Sequence, residues 1–268
     1  MDKQAILTEA SRIAQQTGVI LRTKFAQPIV QTTKASEIDI VTEADKEAEI
    51  FISRELLRLY PEHHLVGEEG GGQGAAVETA DYHWYVDPID GTTNFAGGVP
   101  HFCVSLALTD ANLKPIIAVI YEPNRDELYT AIQCEGAYLN GQKLQVTNTE
   151  KLIQSIVGSG FPYTKHTDPD NNTREWANIT AQVRGIRRMG SAALDLAYVA
   201  AGRFDAYWER SLNSWDAMAG ILLVMEAGGT ISDFEGNHRM QWNDRGRILA
   251  SNGHIHQQML DGLQIKTV

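Results

Sequence analysis

The sequence predicts a layered α/β fold in which helices pack on β-sheets and a functional site lies between two subdomains. Three patterns support this prediction: amphipathic helical segments, apolar runs that end in acidic residues, and a middle region of short apolar runs separated by turns. The chain has 268 residues, of which 43% are hydrophobic. It can therefore form one large unit or two closely packed halves, and we place the approximate subdomains at residues 1–150 and 151–268.

The overall charge of the chain is acidic. It contains 23 Lys and Arg residues against 34 Asp and Glu residues, a formal net charge of −11, and this balance argues against direct nucleic-acid binding. Cys103 and Cys134 are too few for a disulfide framework, and their surroundings in the sequence predict two buried thiols. No signal-peptide pattern and no apolar run of about 18 residues that could span a bilayer is found. We therefore expect a cytoplasmic protein that does not enter membranes.

Two helices are predicted near the beginning of the chain. Apolar residues recur at helical spacing over residues 2–25, which predicts an amphipathic helix that packs on the core. A second helix is predicted over residues 43–59, where Ile50 is among the apolar residues available to the core and Pro61 ends the helix. Asp45 falls in the first turn of this helix, where the helix dipole favours a carboxylate.

Two apolar runs, residues 64–68 and 83–87, each end in an acidic residue. They predict buried strands whose carboxyl ends present carboxylates, which is where open α/β sheets usually bind ligands. The glycine-rich segment between them, residues 70–74, lacks the Lys-Ser/Thr of a phosphate-binding loop and no helical pattern follows it. We interpret this segment as a mobile connection.

The remaining elements are predicted from shorter patterns. Asn140-Gly141 between apolar runs is a strong hairpin signal, and this region predicts a mostly antiparallel sheet. The predicted strands are residues 102–108, 115–121, 127–132, 137–139, 156–158, 204–209 and, as a terminal strand, 248–250. The predicted helices of the second half are residues 173–183, 191–201 and 215–227.

The chemistry of the predicted site begins at the end of the second buried strand. Asp87 and Asp90 are separated by Pro88, which restricts the backbone and lacks an amide proton. One strand end can therefore offer two carboxylates and the carbonyl of Ile89. These are oxygen ligands only, a set that suits Mg²⁺ or Mn²⁺ better than zinc, which favours His and Cys.

The residues that follow resemble the start of a helix. Asp90 can cap this helix, Gly91 allows a ligand to approach the backbone, and the free amides of Gly91 and Thr92 can bind phosphate oxygens. The sequence thus predicts that a cation and an anion meet at the same turn.

An Asp-x-x-Asp-Gly motif alone also suits an ordinary loop or a calcium site, but here further motifs accompany it in order. They are Lys34 with Asp39-x-Val41-Thr42-x-Ala44-Asp45, then Gly67-Glu68-Glu69, and then Trp215-Asp216-x-x-Ala219-Gly220 with Glu226-Ala227-Gly228-Gly229. With these motifs the chain resembles, over nearly its whole length, the inositol monophosphatase family of lithium-sensitive, magnesium-dependent phosphomonoesterases. Ser214 replaces a Cys that often precedes the Trp-Asp pair, and this departure affects no ligand.

The resemblance implies an α/β/α/β/α sandwich of the inositol monophosphatase and fructose-bisphosphatase type, a homodimer, and two or three Mg²⁺ ions in each active site. The implied metal ligands are Glu68, Asp87, the carbonyl of Ile89, Asp90 and Asp216. Glu68 would also support a weakly held third ion, and Thr92, paired with Asp45, would orient the attacking water. Independently of the resemblance, so many neighbouring carboxylates could not all stay ionised without cations.

The resemblance also implies which residues contact the substrate, a small phosphorylated polyol. The implied set is Asp90, Gly91, Thr92, Gly190, Ser191, Ala192, Glu209 and Asp216. Among single substrates, the resemblance favours inositol 1-phosphate, which would be hydrolysed to inositol and phosphate. Histidinol phosphate stays open because Glu209 could pair with an amino group, and a sugar bisphosphate stays open because Arg187 and Arg188 could bind a second phosphate.

A function of another class is also open. Some bacterial relatives are interaction proteins that contact the transcription machinery, and the acidic chain with its Arg187-Arg188 pair could do the same. A pure binding module would have no reason to keep the metal ligands together, so the enzyme is the favoured interpretation.

Overall fold

The computed structural model describes residues 1–29, 31–34, 39–238 and 246–264, and its elements follow the predicted periodicities over most of this length. The helices of the described residues are α1 (Lys3–Phe25), α2 (Glu43–Leu59), α3 (Thr92–Ala96), α4 (Thr173–Thr180), α5 (Ala192–Ala200), α6 (Ser214–Glu226) and α7 (His256–Leu263). The strands are β1 (Gln31–Thr33), β2 (Ile40–Thr42), β3 (His64–Gly67), β4 (Gly71–Gly74), β5 (Tyr82–Asp90), β6 (Cys103–Asp110), β7 (Pro115–Glu122), β8 (Glu127–Ile132), β9 (Gly136–Leu139), β10 (Gln142–Lys143), β11 (Ile156–Ser159), β12 (Gly185–Arg187), β13 (Ala206–Leu212), β14 (Thr230–Ser232) and β15 (Gly246–Ser251).

The larger sheet has eight strands in the order β10-β9-β8-β7-β6-β5-β3-β4. Its neighbours run antiparallel except for β3 and β5, which are parallel, so the prediction of a mostly antiparallel sheet is confirmed. Asn140 and Gly141 connect β9 to β10 with φ angles of 48° and 78°, the positive values that a tight hairpin turn requires. Because β3 and β5 run in the same direction, Glu68 after β3 and the two acids near the end of β5 lie at the same end of the sheet.

The smaller sheet has five strands in the order β12-β11-β13-β15-β14. The two sheets and the helices form five layers, which pack together through three hydrophobic cores. One core lies between α1, α2 and the larger sheet, a second encloses α5 and α6 between the two sheets, and a third lies between the smaller sheet and α4 with α7. Strand β7 shows how the layers form: Val119 packs toward α1 while Ala118 and Ile120 pack toward α5 and α6, the alternation that a pleated strand imposes. The α/β/α/β/α architecture is confirmed.

The central helices α5 and α6 are buried around most of their circumference, as expected for helices that are apolar on every side. They approach each other so closely at Gly220 that a Cβ atom there would lie 2.4 Å from the Cβ of Leu196. Both helices begin at the edge where β3 and β5 end, so the layered packing brings helix starts and strand ends together.

One prediction in this region is wrong. The glycine-rich segment 70–74 is not a loose connection, because residues 71–74 form β4 and pair antiparallel with β3 along its whole length. Ladder hydrogen bonds use only the backbone, so pairing with a neighbouring strand outweighs the low strand propensity of glycine. The side chain of Glu49 on α2 holds the turn before β4 by accepting hydrogen bonds from the backbone amides of Glu69 (2.8 Å) and Gly70 (2.5 Å).

Other expectations are corrected as well. Ile50 is 68% exposed instead of entering the core, because it lies on the side of α2 opposite its buried residues Ala48 and Ile52. Cys103 is buried but Cys134 is exposed, because it lies in the turn between β8 and β9. Helix α4 ends three residues before its predicted end, and β15 is not terminal, since α7 follows it.

Five short strands, β1, β2, β10, β12 and β14, were not predicted, because two or three residues carry no measurable alternation. All strands of the larger sheet precede residue 150 and all strands of the smaller sheet follow it, while the division of the chain into subdomains there stays an expectation. Among the helices of the described ranges, none is long and apolar enough to cross a membrane.

Candidate active site

A cavity of about 710 Å³ opens where β3 and β5 end and α5 and α6 begin. It brings together residues that are up to 185 positions apart in the chain, from Gln31 to Asp216. The sequence-predicted residues in its wall are Glu68, Asp87, Ile89, Asp90, Gly91, Thr92, Gly190, Ser191, Ala192, Glu209 and Asp216. Asp45, predicted to pair with Thr92, does not line the cavity and lies behind Thr92.

An irregularity in β5 allows Asp87 and Asp90 to face the same cavity. In a regular strand, side chains three positions apart point to opposite faces of the sheet. The pairing of β5 with β6 is regular up to Asp87 and shifts between Asp87 and Asp90, where Pro88 interrupts the ladder. Such a bulge changes the direction of the following side chain, and both carboxylates therefore line the cavity.

Asp90 does not cap α3, contrary to the sequence-based prediction. The N-cap of α3 is Gly91, whose φ of 105° turns the backbone away, and no side chain caps this helix. Asp90 instead receives hydrogen bonds at Oδ2 from Ser191 Oγ (2.7 Å) and from the amide of Ala193 (2.6 Å). The carboxylate thus stabilises the start of α5 and ties β5 to the central helix layer.

Two further acids are fixed by the helices that carry them. Asp216 lies in the first turn of α6 and accepts hydrogen bonds at Oδ2 from the amide (2.8 Å) and side chain (3.2 Å) of Asn213. Asp45 holds the same position in α2 and accepts from the amide (2.8 Å) and hydroxyl (2.6 Å) of Thr42. In both cases a capping box orients the carboxylate.

Thr92 connects Asp45 to the cavity. Thr92 Oγ1 lies 3.0 Å from Asp45 Oδ1 and 3.0 Å from the carbonyl oxygen of Ile89, and its single hydroxyl proton can be donated to one of them at a time. Asp45 is fully buried, and this burial raises the pKa of its carboxyl group although Thr42 and Thr92 donate to it. A water bound near Thr92 Oγ1 could donate its proton to that oxygen.

The carboxylates at the end of the larger sheet strongly affect one another. Burial raises the pKa of Glu68 to about 7. Burial also raises the pKa values of Asp87 and Asp216 well above the ordinary range, and the nearby Glu68 raises both further. Asp90 and Asp216 raise the pKa of Asp87 as well, so each buried carboxyl group disfavours ionisation of its neighbours. The cluster therefore takes up protons where no other cation compensates its charge.

Lys34 is the one basic side chain bonded directly to these acids within the described part of the chain. Its ammonium group donates to Glu68 Oε1 over 2.9 Å and also to Glu69. Burial lowers the pKa of Lys34, but the two carboxylates outweigh this effect and the net pKa is raised. Glu69 does not line the cavity, and Lys34 holds it next to Glu68.

The donor types of the cluster fit a hard cation, since they are carboxylate and carbonyl oxygens alone. Within the described residues, however, no group of three or more His, Cys, Asp or Glu side chains stands in an arrangement that could hold a metal ion. One oxygen of Asp90 and one of Asp216 are engaged by helix amides, and Lys34 binds Glu68. Ligands of the chemical type that a hard cation prefers are thus present in the cavity wall.

Glu209 on β13 lies in another part of the cavity wall and is 9% exposed. It accepts a hydrogen bond from the hydroxyl of Tyr207. Burial raises the pKa of Glu209 to about 7, although Tyr207 and the charges of Arg188 and Lys165 lower it. Gly160 provides the space, because a Cβ atom there would lie 2.2 Å from the carboxyl carbon of Glu209.

The predicted arginine pair is divided by the structure. Arg188 lines the cavity, whereas Arg187 does not line it and donates to the backbone carbonyl of Ile186. Among the cavity residues that were not predicted, four have ionisable side chains: Tyr163, Lys165, Asp195 and Arg210. Asp195 could have been found from its position four residues after Ser191 on a helix. The other three lie where no periodic pattern places them.

The chain matches the model of the inositol monophosphatase family over residues 2–267. It is 42% identical over 265 residues to Nus factor SuhB of Pseudomonas aeruginosa, covering 97% of this chain and 96% of that protein. It is 40% identical over 267 residues to inositol-1-monophosphatase of Mesorhizobium japonicum, covering 98% of each. The solved structure of inositol monophosphatase from Anabaena (Nostoc) matches with a TM-score of 0.87 at 37% identity, covering 98% of this chain and 96% of that one.

Proposed function

The chain belongs to the inositol monophosphatase family, and from this premise we propose that it hydrolyses inositol 1-phosphate to inositol and phosphate with Mg²⁺ as its metal. Enzymes of this family are phosphatases of phosphorylated polyols and are generally metal-dependent, and the chain is such a phosphoric monoester hydrolase. One observation carries the finer proposal. The mutually repelling carboxylates of Glu68, Asp87, Asp90 and Asp216 share one cavity with Glu209, a group suited to a polyol hydroxyl.

We assign the first Mg²⁺ to Glu68, Asp87 and the carbonyl of Ile89, the second to Asp87, Asp90 and Asp216, and a weakly held third ion to Glu68. When bound, Mg²⁺ neutralises charge on the phosphoryl and leaving oxygens and acidifies water. The raised pKa values of the cluster support the assignment, because cations would replace the protons that now limit its repulsion.

The reaction proposed is a direct in-line attack of water on phosphorus. Thr92 orients the attacking water, and Asp45 fixes the hydroxyl of Thr92 through the 3.0 Å hydrogen bond. The backbone amides of Gly91 and Thr92 bind phosphate oxygens at the start of α3. No step requires a covalent intermediate on the protein.

Gly190, Ser191, Ala192 and Glu209 are proposed to contact the alcohol part of the substrate. The positive φ of 89° at Gly190 and the hydrogen bond from Ser191 to Asp90 fix this segment beside the acidic cluster. Two relatives are named inositol-1-monophosphatase. Their names support inositol 1-phosphate as the proposed substrate, ahead of histidinol phosphate and sugar bisphosphates.

The test is phosphate release from inositol 1-phosphate, histidinol phosphate and fructose 1,6-bisphosphate, with Mg²⁺ and without it. We expect inositol 1-phosphate to lead, Li⁺ to inhibit at millimolar concentration, and Asp87→Asn and Asp90→Asn to lower turnover by about 10³-fold or more. Asp90 also stabilises α5, so Asp87→Asn, which affects no helix cap, separates chemistry from folding. The exposed Asp81, outside the cavity, provides the control Asp81→Asn.

Turnover of Asp87→Asn within about tenfold of the parent would exclude the proposed two-ion site. Preference for another substrate of the panel would replace inositol 1-phosphate in the proposal. Release that does not depend on Mg²⁺ would contradict the metal assignment.

A second role beside catalysis is favoured by the relative that is named a Nus factor and is 42% identical. We propose that the chain also binds a protein of the transcription machinery through its exposed surface, where Arg187 lies. Tagged parent, Asp87→Asn and Arg187→Ala proteins would be compared for capture of purified transcription elongation components. Capture by the parent and by Asp87→Asn but not by Arg187→Ala supports this role, and equal absence of capture by all three contradicts it.

A further inference from the structure

Asp195 is a buried acid that the proposed reaction does not use. It lies on α5, is 2% exposed and lines the cavity, and its Oδ1 has no hydrogen-bond partner among the residues that the structure describes. All other residues of α5 are Ala, Leu, Val or Tyr. An unpaired buried carboxylate destabilises a fold where an apolar side chain would not, so packing alone gives no reason for an acid at this position.

The helix places Asp195 beside the proposed substrate contacts. Asp195 follows Ser191 by four positions and Ala192 by three, so the three residues share one face of α5, and all three line the cavity. The acid therefore lies one helical turn beyond the residues proposed to contact the alcohol.

The charges around Asp195 indicate what kind of group fits there. Burial raises the pKa of Asp195, nearby Glu209 and Asp90 raise it further, and Arg188 lowers it. Glu209 in turn is influenced by Arg188 and Lys165. Asp195, Glu209, Arg188 and Lys165 all line the cavity, so apart from the acidic cluster with Asp90 the charges of two acidic and two basic side chains offset each other there. A neutral group with several hydrogen-bond donors fits better than an ammonium group or a second phosphate.

We propose that Asp195 is a specificity-determining residue that hydrogen-bonds a hydroxyl group of the leaving alcohol and so selects polyol phosphates. This inference rests on the proposed function of the same cavity. A polyol supplies the partner that Oδ1 lacks, whereas an alcohol without a hydroxyl at this place leaves the acid buried and unpaired after water is displaced. Sites built to bind a hydroxyl reject analogues that lack it for this reason.

The test compares kcat/KM of the Mg²⁺-loaded parent with Asp195→Asn and Asp195→Leu. The substrates are inositol 1-phosphate, p-nitrophenyl phosphate, whose leaving group has no further hydroxyl, and histidinol phosphate, which presents an ammonium group. We expect Asp195→Leu to lower kcat/KM for inositol 1-phosphate by about 10- to 100-fold, with little change for p-nitrophenyl phosphate. Asp195→Asn, which keeps a hydrogen-bonding side chain, should recover part of the loss.

Glu122→Gln is the control, because Glu122 is also a buried acid but lies outside the cavity wall, where Arg125 Nε is 3.2 Å from its Oε1. It should leave the ratio of the two kcat/KM values unchanged. The melting temperature of Asp195→Leu should equal or exceed that of the parent, since an unpaired acid is removed from a helix that is otherwise apolar.

Equal losses on inositol 1-phosphate and p-nitrophenyl phosphate, or no loss on either, would overturn the role of Asp195 as a specificity residue. A loss confined to histidinol phosphate would overturn the assignment of a hydroxyl partner. If the parent itself hydrolyses none of the three substrates, it is the proposed function that fails, and the two failures are therefore distinguishable.

Discussion

Replacing Glu209 with glutamine tests whether burial in the cavity raises the pKa of the Glu209 carboxyl group. Burial raises the pKa of Glu209 from 4.5 to about 7, so the folded protein binds this proton more tightly than the unfolded chain. This tighter proton binding stabilises the folded protein. Its contribution to the free energy of unfolding is complete below pH 4.5 and is lost as the pH rises to about 7. At about 1.4 kcal/mol for each pKa unit, the loss amounts to about 3 kcal/mol.

The measurement is urea unfolding of the metal-free protein at about pH 5 and about pH 8. Glutamine has no charge to bury and still accepts the hydrogen bond from Tyr207. The free energy of unfolding of Glu209→Gln, relative to that of the parent, should therefore rise by about 2–3 kcal/mol between the two pH values. Glu78→Gln changes the same formal charge at an exposed position and should show no such rise.

The comparison of parent and variant removes the contributions of acids that do not interact with Glu209. Asp195 and Asp216, whose pKa values the Glu209 charge raises, change the difference in the same direction. Parallel pH dependences of the parent and Glu209→Gln would refute the reasoning. They would mean that Glu209 titrates in the folded protein as it does in the unfolded chain.

Two further predictions concern residues that position the site. Gly160→Ala should lower the free energy of unfolding by about 1–3 kcal/mol, since its Cβ would displace the Glu209 carboxylate. For the same reason it should lower kcat/KM for a polyol phosphate. Thermal melts and kinetics unchanged from the parent would contradict this prediction. Glu49→Ala leaves the amides of Glu69 and Gly70 without their acceptor. The free energy of unfolding should therefore fall by about 2–4 kcal/mol, and hydrogen exchange of both amides should accelerate. Unaltered exchange would argue against this role of Glu49.

Long periodic segments explain why much of the fold could be predicted from the sequence. Helices α1, α2 and α6 begin and end within one residue of their predicted bounds, because each shows an apolar pattern over several turns. Strand β4 was missed for the opposite reason: its glycines carry no pattern, and the strand exists only because β3 offers a partner. The exposure of Ile50 likewise depends on what lies beside α2, which the chain around it does not specify.

The residues of the cavity wall were predicted from motifs, whereas the connections between them were not. Asp90 was recognised as an acid of the site, but its partners Ser191 and Ala193 lie about a hundred positions away, beyond the reach of any local pattern. Asp195 and Lys165 belong to no motif and line the cavity only through the packing of α5 and the loop before α4. The catalytic and binding roles of the cavity residues stay predictions until they are measured.

The bond from Asp90 to the start of α5 has a consequence for how the protein acquires its activity. Asp90 belongs to the larger sheet, and the hydroxyl and amide that fix it belong to the layer between the sheets. A newly made chain therefore cannot fix Asp90 in this way until α5 has packed against the larger sheet. Truncation of the chain before residue 191 would remove both donors and leave the Asp90 carboxylate without the bonds that fix it.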